Sequence, residues 1–83
     1  MQQFQINSKL IQIITYDSAS HTMHIQFVDR GVLTLQQIPT EHVDAFLSSL
    51  DKDVFLKEQL MTNPNFRKRI QMRSAIAKSL FPN

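Results

Sequence analysis

Eighty-three residues with 42% hydrophobic content, one glycine and no cysteine describe one small globular domain. They exclude a disulfide framework and a thiolate metal site, and the missing cysteines favour a reducing, cytoplasmic setting. The net charge of +2 conceals a polarity: residues 1–59 carry four basic and seven acidic side chains, whereas residues 60–83 carry five basic and none acidic.

The first seven residues are polar and Gln-rich, without the charged region and apolar run of a signal peptide. No stretch approaches the ~18 apolar residues of a membrane span. Phe4 and Ile6 alternate with glutamines, which admits a short strand over residues 3–6. Leu10, Ile11, Ile13, Ile14 and Tyr16 mark a strand over 10–16. Met23, Ile25 and Phe27 then alternate with Thr22, His24, Gln26 and Val28, the period-2 pattern of a half-buried strand. Residues 32–38 form another, with Leu33 and Leu35 on one side and Thr34 and Gln36 on the other. The links at 17–21 and 29–31 are short, so the strands form an antiparallel meander with one covered face. In the second link, Asp29-Arg30-Gly31, the glycine is expected to supply a positive φ.

After Pro39 the period changes. Thr40 is placed to cap a helix over 40–50, with Glu41 in its first turn and Val43, Phe46, Leu47 and Leu50 along one stripe. Asp51 or Asp53 starts a second short helix bearing Val54, Phe55, Leu56, Leu60 and Met61. Asn63-Pro64 reads as a cap followed by a first helical residue, opening a terminal helix over 64–80 that Pro82 would stop. Its apolar stripe is Phe66, Ile70, Ala77, Leu80 and Phe81, with Arg73 inside the stripe and Arg69 near its edge. The expected fold class is therefore α+β: a three- or four-stranded antiparallel meander sheet covered by a helix and followed by two further helical segments, in a single domain over 1–83.

The cationic tail is the strongest functional feature. Lys and Arg neutralise phosphates and release counterions, and Arg adds forked hydrogen bonds. The candidate nucleic-acid contacts are Arg67, Lys68, Arg69, Arg73 and Lys78, with Lys52 in support. The bland alternative is a solvated helix face, with the Arg73 stem lying along the core edge and its head in water. A basic amphipathic helix lying on a membrane surface is a weaker reading, because Arg73 interrupts the stripe. The apolar side of the same helix, through Phe66, Ile70, Leu80 and Phe81, offers a protein partner or a second copy a binding face.

Other chemistry has little to rest on. His21, His24 and His42 lack metal-ligand spacing. Ser48, Ser49 and Asp51 sit in no nucleophile motif, and one glycine cannot make a phosphate-cradling loop. The sequence thus reads as a non-enzyme without a metal or cofactor. Tyr16 is either a base-stacking aromatic or a packing residue with its hydroxyl at the rim.

The order Ser8-Lys9-Leu10-Ile11, Ile13-Ile14-Thr15-Tyr16-Asp17, Met23-His24-Ile25-Gln26-Phe27 and Gly31-Val32 resembles the KTSC domain, as do Ile38-Pro39 and Val43-Asp44-Ala45-Phe46-Leu47. That domain is named for the C-terminal region of some lysyl-tRNA synthetases and also occurs as small bacterial and phage proteins. The resemblance spans about residues 8–60 and implies a β-meander plus helix, with nucleic-acid binding proposed for the family. Two departures stand out. Thr34, Leu35 and Gln36 replace the tyrosines usual on the third strand. Asp51-Lys52-Asp53 replaces a Ser-Lys-Gly step, so that only Lys52 and Phe55 carry over there. The basic tail lies outside the matched region.

Overall fold

The computed structural model describes residues 2–81. Five strands, β1 (Gln2–Gln5), β2 (Ile11–Asp17), β3 (Thr22–Phe27), β4 (Val32–Gln36) and β5 (Arg67–Met72), form one antiparallel sheet in sequential order. The helical segments are α1 (Thr40–Ser48), α2 (Lys52–Phe55), a π-helical continuation of α2 over Leu56–Leu60, and α3 (Ala75–Leu80). The α+β class and the meander agree with the sequence reading, and β1 supplies the fourth strand that the Gln/Phe alternation admitted.

The alternation of β2, β3 and β4 determines the layers. Ile14, Tyr16, Met23, Ile25, Phe27, Leu33 and Leu35 point inward and are buried. They form one core with Val43 and Phe46 of α1, Leu56, Leu60 and Met61 of the π-helical turn, and Ala77 and Leu80 of α3. Each fully buried aliphatic or aromatic side chain contributes ~1.5–3 kcal/mol against exposure. The π turn has a packing reason: the Met61 N–H reaches the Leu56 carbonyl at 2.8 Å, and the wider turn brings Leu56, Leu60 and Met61 onto the core side together. Since all helices join one core, the other face of the sheet is left open.

Four expectations are corrected. Residues 64–80 are not a continuous helix. Asn63 makes a side-chain turn, accepting the Asn65 N–H at 2.9 Å on Oδ1, and the chain then enters β5. Phe66 and Ile70 are four apart, which suits a helix stripe and one strand face equally. Pairing with β4 decided between them, with Ile70 opposite Leu33 and Lys68 opposite Leu35. The helical pattern survives only in α3, whose cap is Ser74, accepting from the Ala77 N–H at 2.9 Å. Pro82, the expected stop, lies outside the described residues.

Second, α1 ends at Ser48, and Ser49 is extended (φ −70°, ψ 148°). Leu50 is thereby turned out of the stripe and is fully exposed. Third, the cap position of α1 is Pro39, and Thr40 is the first helical residue, its Oγ1 lying 3.3 Å from the Tyr16 hydroxyl. Asp51 does cap α2, accepting from the Val54 N–H at 3.1 Å.

Fourth, Gly31 does not adopt positive φ. Arg30 does (φ 69°), as the left-handed residue that follows the turn in a three-residue hairpin loop. Gly31 is required by proximity instead. A Cβ there would overlap the Ser74 Cβ and lie 2.6 Å from its Oγ and 2.7 Å from its Cα.

Candidate nucleic-acid interface

Strand alternation sorts the tail cations. Arg67 pairs with Gln36 and Arg69 with Thr34, so both stand on the open face at the β5 edge. Two residues along a strand span ~6.7 Å, within one Debye length of ~8 Å at physiological salt, so the two guanidinium groups act on an anion together. Lys68 points the other way. Its Nζ donates to the carbonyls of Asn63 (2.7 Å) and Phe66 (3.1 Å), closing the turn that leads into β5. Arg73 is exposed in the β5–α3 connection and Lys78 is exposed on α3. Lys52 lies half-buried on the helical side, its Nζ 3.3 Å from the Ser49 carbonyl. The structure thus brings Arg67 and Arg69 together, leaves Arg73 and Lys78 outside the strand, and engages Lys68 and Lys52 with their own backbone.

Register extends the Arg69 position into a row across the sheet: Gln3, Thr15, His24, Thr34, Arg69. Thr34 is buried between its row neighbours, and His24 Nδ1 lies 2.9 Å from the Thr34 hydroxyl. The period of β3 and β4 already marked His24 and Thr34 as outward. Their place beside Arg69 was not legible, because it depends on β5. Along the same face, Gln26 reaches Gln12 at 3.4 Å. Among the described positions on this face Asp17 is the one carboxylate, and it turns to its own loop, accepting the Ala19 N–H at 3.0 Å. Four of the seven acids, Glu41, Asp44, Asp53 and Glu58, lie on the helical segments, and a fifth, Asp51, caps α2. The charge asymmetry along the chain has become an asymmetry between layers.

The apolar tail residues are turned inward. Phe66, Ala77 and Leu80 are buried, and Ile70 and Phe81 pack against the core. The expected partner-binding face of a terminal helix, and its membrane-lying counterpart, are therefore absent from this region. Tyr16 is a packing residue: it is buried, and its hydroxyl donates to the Ile38 carbonyl at 2.9 Å, anchoring the entry to α1. No cluster of three or more His, Asp or Glu side chains suited to a metal occurs among the described residues. No helix among them is long and apolar enough to cross a membrane.

Two polar joints hold the periphery. Ser8 Oγ accepts the Ile11 N–H at 2.8 Å and donates to Asp53 Oδ1 at 2.9 Å, tying the β1–β2 connection to α2. Asp53 is one of the residues that departs from the Ser-Lys-Gly step. At the same end of the strands, in the β3–β4 hairpin, Asp29 accepts the Gly31 N–H (2.9 Å), the Ser74 hydroxyl (2.9 and 3.0 Å) and the Ile76 N–H (3.3 Å). These donors, the Gly31 N–H foremost, hold its carboxyl below the ordinary 3.8 against a partial desolvation that acts the other way.

A sequential antiparallel meander with helices on one face and a polar open face defines a small α+β domain. The chain belongs to the KTSC domain family, whose model matches residues 7–63. It is similar to a KTSC domain protein of Yersinia pestis known from a crystal structure. The two are 25% identical, and the match covers 83% of this chain and 94% of that one with a TM-score of 0.72. No curated protein matches the sequence. β5 and α3 lie beyond the segment that the family model matches.

Proposed function

We propose that this domain is a non-catalytic module that meets the phosphate backbone of RNA or DNA along the open face and β5 edge of its sheet. Arg67 and Arg69 make the principal contacts, Arg73 and Lys78 add charge at the margin, and Lys68 and Lys52 serve the fold. The observation that carries this reading is the projection of Arg67 and Arg69 onto a face whose paired positions are otherwise glutamine, threonine, histidine and aliphatic, with Asp17 at one corner. The outward positions of the described strands carry no Phe, Tyr or Trp, and the one ring there, His24, is held by Thr34, so bases have no extended stacking platform and affinity rests on phosphate.

Labelled RNA and duplex DNA titrated at two salt concentrations test the reading. With about three phosphates engaged, log K falls on log salt with a slope of about −2 to −3. Arg67→Ala/Arg69→Ala flattens the slope by about 1.5–2, whereas Lys68→Met leaves it unchanged. Absence of binding at low salt, or equal effects of the two variants on the slope, would remove the proposal.

A further inference from the structure

β1 and β5 are the two edges of the sheet, and they are defended differently. An unpaired edge offers main-chain donors and acceptors to any extended strand, and proteins block it with charge, proline or a bulge. β5 carries Arg67, Lys68 and Arg69 in succession, so two copies of that edge would set like charges against each other. β1 is Gln2-Gln3-Phe4-Gln5, with no charge, no proline and an unbroken register against β2.

The β1–β2 pairing also shows which main-chain groups are free. The Ile6 N–H donates to the Gln12 carbonyl at 3.0 Å, in register with Phe4 opposite Ile14. Alternate residues of an antiparallel strand bond to the same neighbour. Gln2 and Phe4 therefore turn their main-chain groups toward β2, and Gln3 and Gln5 turn theirs toward the open edge.

The geometry points to a second copy of this chain as the occupant of that edge, paired antiparallel through β1 about a two-fold axis at Phe4. In this register Gln3 faces Gln5 of the second copy, and the reverse, so the free N–H and C=O groups of both residues form four main-chain hydrogen bonds. Phe4 meets its counterpart at the close, non-hydrogen-bonded position, with Cα atoms about 4.5 Å apart. Glutamines face glutamines on the open side, while the half-buried Phe4 and Ile6 stay on the core side. A slip by one residue would set Phe4 against glutamine and mix the faces. Centring on Gln3 would leave Gln5 without a partner inside the strand. The surroundings suit a copy of the same surface. Ile6, Leu10, the fully exposed Leu50 and the exposed Val54 line an open cleft beside the β1–β2 connection, so apolar groups lie next to the seam in both copies. The product is a ten-stranded sheet with its cationic β5 edges at the far ends. The inference does not rest on the anion-binding reading.

Analytical ultracentrifugation of the full chain over a concentration series provides the test. The wild type is expected to reach twice the monomer mass. Gln3→Lys/Gln5→Lys places lysines opposite lysines across the seam, and Gln3→Lys/Gln5→Glu places lysine opposite glutamate twice. The register requires the dissociation constant of the first to exceed that of the second by at least about tenfold. Both glutamines are exposed, so each variant should retain the wild-type circular dichroism spectrum and melting temperature within a few degrees, and this confirms that association alone has changed. A wild type that stays monomeric throughout, or two double variants with equal association, overturns the proposal.

Discussion

Gly31→Ala is the sharpest perturbation of this fold, because the hairpin and the tail approach each other there without room for a methyl group. The added Cβ would overlap Ser74 at its Cβ and come within 2.7 Å of its Cα, so the Ser74 backbone must move. Forced overpacking of this kind costs ~1–3 kcal/mol. Moving Ser74 also breaks its bond to Asp29 and the cap on the Ala77 N–H, and a lost cap adds ~1 kcal/mol. The total is about 2–4 kcal/mol in a domain whose whole stability is of order 4–12 kcal/mol. At this size the melting temperature falls by about 10–25 °C. Urea and thermal unfolding followed by circular dichroism measure both quantities. Ser74→Gly removes the side chain that the methyl strikes, so Gly31→Ala/Ser74→Gly should lie at least about 1 kcal/mol above the sum of the single changes. If Gly31→Ala falls within about 0.5 kcal/mol of wild type, or the double variant is additive, the close-approach argument fails.

Three further outcomes follow from the same contacts. Tyr16→Phe leaves the Ile38 carbonyl without its donor and should lower unfolding stability by about 1–2 kcal/mol, read from urea midpoints at constant slope. Asp29 has a folded-state pKa below 3.8, so its contribution to stability is present above that pH and is lost as pH falls through the depressed value. Asp29→Asn should therefore show a shallower loss of stability on acidification below about pH 3.8 than wild type, and parallel acid limbs would contradict the assignment. Leu50→Ser should change stability by no more than about 0.5 kcal/mol because the side chain is fully exposed, whereas a core leucine there would cost about 2–5 kcal/mol.

The central strands, the existence of the helix after Pro39 and most of the inward side chains were determined by the sequence alone, Leu50 and Tyr16 being the exceptions. Each rests on a local period that one structure satisfies: Met23, Ile25 and Phe27 cannot share a helix face, and Val43, Phe46 and Leu47 cannot share a strand face. The tail residues Phe66, Ala77 and Leu80 were legible as an apolar stripe, but not as part of this core. The tertiary structure decided how the tail carries them. Arg, Lys, Gln and Met favour helix when isolated, and the spacing of Phe66 and Ile70 fits either element. What tipped residues 67–72 into a strand was the free edge of β4, whose main-chain groups and neighbouring Leu33 and Leu35 required a partner. That pairing, invisible to any local pattern, also fixed the candidate site. It turned Arg67 and Arg69 to the open face and Lys68 to the turn beneath, because successive side chains of a strand point to opposite sides.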